Sequence, residues 1–194
     1  LFRSTTPTLD LSGYGSYWRL ERNGVQQGGD YRTASTYPES AALGDGPYDY
    51  VLYAADAAGN LSAASRTRSV TVDTTAPVID DLTPSPYRLL QGELLDLSAE
   101  GVNDFTSVQR VEFYRDENGN ETIEPSTDTL LGTGTPDGAG VWSVTGIDTA
   151  GWPAGTYTYL SRARDLVGLW SDTASTIGEV NEPPVIDGVS AAPD

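Results

Sequence analysis

The sequence contains no lysine, histidine, cysteine or methionine, and all 11 of its basic residues are arginines. Without histidine or cysteine, no Ser-His-Asp or Cys-His nucleophile can be assembled. Zinc, iron–sulfur and haem sites that depend on imidazole or thiolate ligands are excluded for the same reason. The absence of lysine excludes Schiff-base chemistry and Lys–Asn isopeptide cross-links. Carboxylate chemistry and oxygen-ligated metals remain.

Long hydrophobic runs are also missing, because no apolar stretch approaches the roughly 18 residues of a membrane span. The chain has neither an initiator methionine nor a signal peptide, so we expect it to be a segment of a longer protein. Its net charge is −17, and residues 78–180 carry 17 acids against five arginines. This surface repels nucleic acid and anionic lipid and attracts divalent cations, although an acidic surface need have no specific cation role.

Two internal repeats give the domain organisation. GPYDYVLYAADAAGNLS (Gly46 to Ser62) recurs further along the chain as GTYTYLSRARDLVGLWS (Gly155 to Ser171). TAPVIDDL, from Thr75, recurs at nearly the same spacing as EPPVIDGV, from Glu182. A period of roughly 100 residues is typical of one immunoglobulin-like sandwich. We therefore predict modules at 1–76 and 77–181, followed at 182–194 by the opening strand of another.

Short alternating segments separated by glycine, proline and asparagine predict an all-β chain of tandem immunoglobulin-like β-sandwiches. In the second module the expected strands are Val78–Leu82, Leu94–Leu97, Val108–Arg115, Thr129–Thr133, Val141–Thr145, Tyr157–Ala163 and Thr176–Val180. The repeated tyrosines share one face of the sixth strand, which predicts core positions and a tyrosine corner. Trp18 is expected in the core, whereas Trp152 and Trp170 fall at turns and would form an exposed platform in a binding protein.

The two modules differ at their beginnings. Leu9–Ser12 matches Leu95–Ser98, but too few residues precede Leu9 to form an opening strand. The tail carries a spare copy of that strand, Val185-Ile186-Asp187-Gly188-Val189, which matches Val78–Leu82. Two interpretations stay open. Either the chain is a slice of a longer array, or the tail of one copy completes the first module of the next, head to tail.

Two stretches resemble a known class of proteins. DAAGNLSAASRTRSVTVDTTAPVI (Asp56 to Ile79) resembles the module junctions of bacterial immunoglobulin-like repeat proteins, the large surface adhesins and biofilm proteins. VEFYRDENGNETIEPSTDTLLGTG (Val111 to Gly134) resembles a module of secreted, cadherin-like repeat proteins. The resemblance implies a secreted or cell-surface location and calcium at loops and junctions. It is specific for the fold and weak for activity.

The strongest candidate site is the loop DENGNETIEPSTD, in which oxygen-bearing residues follow the alternating spacing of a calcium loop. The candidate ligands are Asp116, Asn118, Asn120, Thr122, Glu124 and Asp128. The loop departs from an EF-hand because Gly119 stands at position 4 rather than 6 and no glutamate stands at position 12. The alternative is an acidic hairpin turn built on Asn-Gly.

A weaker candidate is the first module junction, with Asp56 and Asn60 in an Asp-x-x-Gly-Asn turn and Asp73 before the linker. In the resembling adhesins such residues hold calcium between modules. At the second junction Leu169 and Asn181 replace Asn60 and Asp73, which weakens the prediction there.

The sequence thus predicts a structural and assembly segment of an extracellular fibre, stalk or adhesin rod, with calcium as cofactor and neighbouring modules or further copies as partners. The alternative is an adhesive module that recognises glycan or a host protein through exposed loops. We do not expect an enzyme, because 28 acids make chance carboxylate pairs inevitable and modules of this size rarely contain a cleft.

Overall fold

A computed structural model describes residues 1–185 and Gly188, and this part of the chain is all-β, without a helix. None of the described residues belongs to a helix that could cross a membrane. The chain divides into two compact units. Unit 1 comprises Leu1–Ala76 and Leu166–Leu169, and unit 2 comprises Pro77–Asp165 and Trp170–Asp194.

Unit 1 contains six of the described strands: β1 (Thr8–Asp10), β2 (Tyr17–Arg22), β3 (Val25–Arg32), β4 (Thr36–Pro38), β5 (Gly46–Ala55) and β6 (Arg68–Val72). Four of them form a sheet in the order β3-β2-β5-β6, while β1 and β4 form a two-stranded sheet. Side chains from both sheets meet in a core around the fully buried Trp18, as the sequence predicts.

Unit 2 contains nine described strands: β7 (Asp81–Ser85), β8 (Arg88–Leu90), β9 (Leu94–Glu100), β10 (Val108–Arg115), β11 (Thr129–Thr133), β12 (Thr135–Pro136), β13 (Trp142–Asp148), β14 (Gly155–Asp165) and β15 (Ala174–Asn181). They form one sheet in the order β11-β10-β14-β15-β8 and a second in the order β12-β13-β9-β7. Alternate residues of β9 point inward, so Leu95, Leu97 and Ala99 are completely buried against Phe113 and Tyr159 of the other sheet. Two antiparallel sheets enclosing one apolar core are an immunoglobulin-like β-sandwich.

The repeated sequence motif occupies the same strand in both units. β5 pairs with β2 and β6, and β14 pairs with the corresponding strands β10 and β15. Near the start of each strand a tyrosine hydroxyl donates to a backbone carbonyl a short way upstream. These bonds join Tyr48 to Gly44 at 2.9 Å and Tyr157 to Pro153 at 2.7 Å. Both are the predicted tyrosine corners.

The opening strand of unit 2 lies later in the sequence than predicted. We expected it at Val78–Leu82, but β7 spans Asp81–Ser85 and Val78 makes only an isolated bridge to Asn103. Leu82, inside β7, supplies the buried side chain. The chain then continues into β8, which the sequence analysis missed and which runs parallel to β15.

The beginning of unit 1 is half complete. Phe2 forms a parallel β-bridge with Val72 of β6. In unit 2, Leu89 of β8 pairs in parallel with Val180 of β15 in the same way. Phe2 therefore stands where Leu89 of β8 stands in unit 2, although it forms a single bridge rather than a strand. No described residue, however, takes the place of β7: β9 is paired on both sides, by β13 and β7, whereas β1 is paired by β4 alone.

Candidate functional site

The loop between β10 and β11 winds around the Asp116 carboxylate. Oδ1 of Asp116 accepts the backbone N–H groups of Asn118 at 3.1 Å and Gly119 at 2.7 Å, and Oδ2 accepts that of Glu121 at 2.9 Å. The same pattern continues along the loop, because Asn118 Oδ1 accepts from the backbone N–H of Asn120 and Asn120 Oδ1 from that of Thr122. The alternating oxygen residues are thus held on the inside of a single turn of chain.

The remaining two predicted ligands close this loop. Asn118 donates its side-chain amide to Glu124 Oε2 at 2.7 Å. The buried Asp128 accepts the backbone N–H of Glu124 at 2.6 Å and that of Glu117 at 3.2 Å. Hydrogen bonds therefore link all six residues that the spacing singles out. The atoms that these residues offer to a metal ion are carboxylate, amide and carbonyl oxygens, which suit a hard cation such as calcium.

The backbone of this loop turns left-handed twice. Gly119 has φ of 73° and Glu121 has φ of 55°. Glu121 stands at position 6, where an EF-hand requires a sharp turn, so the backbone makes that turn without glycine. Burial would raise the pKa of Asp116, but the N–H groups of Glu121, Gly119 and Asn118 stabilise the anion more, and the net pKa lies below its ordinary value. The carboxylate is therefore ionised and available to a cation at neutral pH.

The Asp-x-x-Gly-Asn turn of unit 1 has a similar internal order. Asp56 Oδ1 accepts the backbone N–H groups of Ala58 and Asn60, both at 2.9 Å, and Oδ2 accepts the Asn60 side-chain amide at 2.9 Å. These bonds from Asn60 lower the pKa of the exposed Asp56 carboxyl. Asp56 and Asn60 are brought together as predicted, in the turn that follows β5.

Asp73 lies elsewhere. Val72 pairs with Gly46 at the start of β5, whereas Asp56 follows the end of that strand. At about 3.3 Å per residue, the two carboxylates stand roughly 30 Å apart along unit 1. One ion cannot contact both, so the three residues that the sequence grouped as one junction form two separate places. Asp73 is completely buried, and its backbone N–H donates to Phe2 at 2.8 Å.

Unit 2 contains a carboxylate pair that the sequence analysis did not find. Asp104 and the fully buried Asp165 bring carboxylate oxygens within 4.8 Å of each other. Oδ2 of Asp104 accepts from Thr106, through its backbone at 2.9 Å and its hydroxyl at 3.0 Å, and from the backbone of Ser107. Oδ1 of Asp104 is buried and has no hydrogen-bond partner in the described part of the chain. This donor set could hold a metal ion, because two anions at this distance repel each other and a cation relieves that repulsion.

The pairing of strands explains why these two acids meet. Asp104 follows the end of β9 and precedes β10, whose first residue, Val108, pairs with Asp165 at the end of β14. The two acids are far apart in the sequence. The internal repeat pointed to one of the two acids, because Asp165 aligns with Asp56 in the repeated motif. Nothing in the sequence distinguishes Asp104 from the many other acids.

The two turn tryptophans do not form one exposed platform. Trp152 is half-buried, with the Arg115 guanidinium 4.5 Å from its ring centroid and Tyr157 at 5.0 Å. The Trp170 ring centroid lies 4.0 Å from the Arg162 guanidinium carbon and 5.0 Å from that of Arg110. Arg115 and Arg110 are at opposite ends of β10, roughly 17 Å apart at about 3.3 Å per residue. Each ring is therefore covered separately by arginine.

The predicted assembly strand lies largely outside the described residues. Val185 is 82% exposed, and Gly188 is described, but Ile186, Asp187 and Val189 are not among the residues that the structure describes.

Comparisons with known proteins give structural matches only. No protein-family model matches the chain, and no curated protein sequence matches it significantly. Among solved structures, it is similar to the fibronectin(III)-like modules of Clostridium thermocellum CbhA, with 15% identity and a TM-score of 0.49 over 97% of this chain and 92% of that one.

A tetra-tandem repeat from the extending region of a large adhesion protein matches with 18% identity and a TM-score of 0.42, over 93% of this chain and 47% of that one. A chimeric titin Z1Z2 tandem matches with 14% identity and a TM-score of 0.35, over 93% of this chain and 92% of that one. The fold assignment itself rests on the strand order and core of each unit described above.

Proposed function

We propose that this chain is a structural segment of a secreted or cell-surface repeat protein, in which tandem sandwiches serve as spacers in a fibre, stalk or adhesin rod. The observation that carries this proposal is the duplication of one sandwich module. Two units share strand order, the motif on β5 and β14, and a tyrosine corner. Duplicated modules with separate cores provide length and mechanical resistance without an active site. Partners of such a segment are neighbouring modules, in the same polypeptide or in further copies.

Single-molecule pulling tests the spacer role. Each sandwich has its own core, so we expect two separate unfolding events when the chain is stretched from its termini. Each event should release roughly 3.3–3.6 Å of contour length per residue of the unit that opens. Both units should refold when the force is removed. A chain that extends without discrete events, or opens in one step at low force, would contradict a mechanical role.

Calcium is the cofactor that the oxygen-only sites fit best. The Asp104–Asp165 pair and the Asp116 loop both belong to unit 2, and each offers carboxylates held in place by the fold. Extracellular modules bind calcium with dissociation constants of about 10⁻⁴–10⁻³ M. At ten times the dissociation constant, one bound ion stabilises the folded unit by about 1.4 kcal/mol. Unit 2 should therefore melt several degrees higher in millimolar calcium.

Matched variants separate the two sites. Asp165→Asn should remove the calcium response of the carboxylate pair, and Asp116→Ala that of the loop. Asp148→Asn is the control, because it removes one charge at the opposite end of β9 from Asp104. Thermal melts with calcium and with chelator measure the response. If the control and both site variants respond like the parent chain, neither place binds calcium.

The sequence-based expectation of calcium at the first junction stays a proposal of its own. Asp73 precedes the linker directly, and Asp56 and Asn60 form an ordered turn at the other end of β5. Asp73→Asn and Asp56→Asn should each reduce calcium-dependent protection of the linker against limited proteolysis, if these residues contribute ligands. Equal cleavage with and without calcium in the parent chain would exclude a junction site.

A further inference from the structure

Two asparagines stand in the sequence Asn-x-Ser/Thr, in which the side-chain amide can accept an N-linked glycan. Asn120 begins the sequence NET in the loop between β10 and β11, and Asn60 begins the sequence NLS in the turn that follows β5. Neither motif has proline in the middle, so both satisfy the sequence rule. A motif this short also arises by chance, and the surroundings of each amide therefore decide which asparagine can react.

Glycosylation needs a free amide nitrogen, Nδ2, and a free hydroxyl on the third residue of the motif. Nδ2 is the atom that bonds to the sugar, and the hydroxyl is the group that the transferring enzyme recognises beside it. A hydrogen bond from Nδ2 to a neighbouring side chain has to break before the nitrogen can enter the enzyme. A motif whose backbone is paired with a strand has to be separated from that strand first.

At Asn120 the reactive nitrogen is free. Asn120 is exposed, and its Oδ1 accepts the backbone N–H of Thr122 at 2.8 Å, while its own backbone N–H donates to Asn118 Oδ1 at 3.1 Å. Nδ2 of Asn120 donates to no group in the part of the chain that the structure describes. Oδ1 is thus the end of the amide that holds the loop, and Nδ2 is the end that is left to solvent.

The rest of this motif is also accessible. Thr122 is exposed, and its hydroxyl makes a single contact among the described residues, to the Asn120 carbonyl at 3.3 Å. The backbone N–H groups of Glu121 and Thr122 bond to side chains of the same loop, those of Asp116 and Asn120, rather than to a neighbouring strand. An enzyme can therefore approach the amide and the hydroxyl together without opening the sandwich.

The motif at Asn60 is the opposite case, although Asn60 is exposed as well. Nδ2 of Asn60 donates to Asp56 Oδ2 at 2.9 Å, a charge-assisted bond that holds the nitrogen in the turn. The Ser62 hydroxyl is occupied twice, because it accepts the Ala54 backbone N–H at 3.1 Å and donates to the Ala63 carbonyl at 2.7 Å. The Ser62 backbone N–H also donates to the Ala54 carbonyl at 2.9 Å, which pairs the motif with β5.

We propose that Asn120 is an acceptor for an N-linked glycan and that Asn60 is not. This inference rests on the proposed secreted or cell-surface location, where surface loops carry such glycans. The donor is a sugar with a diphosphate leaving group at its anomeric carbon. The bond between Nδ2 and that carbon forms while the carbon–oxygen bond to the diphosphate breaks, the diphosphate keeps the electron pair, and one Nδ2 proton passes to a base of the transferring enzyme. Oδ1 is unchanged by this reaction, so a glycan and a calcium ion use different atoms of the same residue.

Mass spectrometry of the folded chain tests the inference. The full chain, in a calcium chelator, is incubated with a soluble glycosyltransferase specific for Asn-x-Ser/Thr and with a nucleoside diphosphate hexose. We expect hexose on the peptide that contains Asn120 and none on the peptide that contains Asn60. Thr122→Ala should abolish the modification, and Thr122→Ser should retain it. Ser62→Thr is the matched control, because it gives both motifs the same third residue, and Asn60 should still stay unmodified. When the chain is digested before the reaction, both peptides should accept hexose, because the fold no longer protects Asn60.

Protein recovered from the medium or the cell surface of its natural source provides the second readout. Its glycopeptides should carry sugar at Asn120 and not at Asn60. The attached mass identifies the donor, since a nucleoside diphosphate passes on single hexoses and a lipid diphosphate passes on a preassembled oligosaccharide. No sugar at Asn120 in either experiment, or equal modification of both asparagines in the folded chain, would overturn the proposal. The spacer role is tested by pulling and not by these assays, so the two proposals fail independently.

Discussion

Tyr50 and Tyr159 stand at the same place in the two copies of the repeated motif, yet their hydroxyl groups meet opposite conditions. The Tyr50 hydroxyl donates to Glu39 Oε1 at 2.7 Å, and Glu39, 5% exposed, is also paired with Arg22. The Tyr159 hydroxyl is buried and has no hydrogen-bond partner in the part of unit 2 that the structure describes. Replacing each tyrosine with phenylalanine removes only the hydroxyl and should change stability in opposite directions.

The magnitudes follow from these contacts. Tyr50→Phe breaks a hydrogen bond to a buried carboxylate and leaves Oε1 of Glu39 without a donor, which costs about 1.5–3 kcal/mol. Tyr159→Phe removes a hydroxyl that was buried without compensation, so unit 2 should gain up to about 1 kcal/mol. Space there is tight, because a Cβ added at Gly178 would lie 2.9 Å from Cε2 of Tyr159. Burial also raises the pKa of Tyr159 to about 12, so the hydroxyl is neutral at pH 7.

Scanning calorimetry of the parent chain and the two variants measures the effect. For units of this size, 1 kcal/mol shifts the melting temperature by about 4–8 °C. We expect the unit 1 transition to fall by roughly 6–24 °C in Tyr50→Phe and the unit 2 transition to rise by at most about 8 °C in Tyr159→Phe. The variant in one unit is the control for the other. A loss of stability in Tyr159→Phe comparable to that in Tyr50→Phe would refute the reasoning, because it would mean that the Tyr159 hydroxyl has a partner.

Hydrogen-bonded carboxylates and the secondary structure itself give further tests. Asp45 accepts hydrogen bonds from Thr75 and Thr74, which lower the pKa of its carboxyl group. A lowered carboxyl pKa contributes stability above about pH 4, and this stability is lost as the pH falls through the pKa of the folded state. In the Asp45→Asn variant, the melting temperature of unit 1 should therefore fall less steeply as the pH is lowered. The Asp128 carboxylate closes the loop between β10 and β11 by accepting the backbone N–H groups of Glu117 and Glu124. Asp128→Asn should therefore destabilise this loop by about 1–3 kcal/mol even in chelator, and faster hydrogen exchange at the Glu124 amide would report the loss. Far-UV circular dichroism should show β structure and at most marginal helix; a clear helical signal would contradict the fold.

The sequence predicted strand positions best on either side of a strong turn signal. Strands β10 and β11, which flank the Asn118-Gly119 turn, begin and end where the residue pattern placed them. The opening strand of unit 2 was misplaced by three residues. Val78 and Ile79 form the more apolar run, but the pairing partner, β9, selects Asp81–Ser85 and buries Leu82 instead. Register across a sheet is a property of two strands and cannot be read from one.

The candidate sites were predicted correctly only where their residues are neighbours within one loop. Asp116 and its loop partners are near neighbours in the chain, so their spacing alone predicted a group of oxygens that hydrogen bonds do join. Grouping Asp56 with Asp73 failed, because β5 separates them by its whole length. A strand carries the chain from one end of a sandwich to the other. Two residues separated by one strand can therefore be near in sequence and far apart in space.

By itself the sequence determined the chemistry available to this protein and the kind of fold it adopts. The absence of histidine, cysteine and lysine left oxygen as the ligand, and a repeat as long as one sandwich, with period-two alternation inside it, specified tandem sandwiches. Only the tertiary structure decided which acids meet and which edge stays open. Asp104 and Asp165 come together because β9 and β14 end at the same pole of unit 2, and β1 is unpaired on one side because no described segment occupies the position of β7. Both outcomes depend on long-range strand pairing, which backbone hydrogen bonds and core packing fix together.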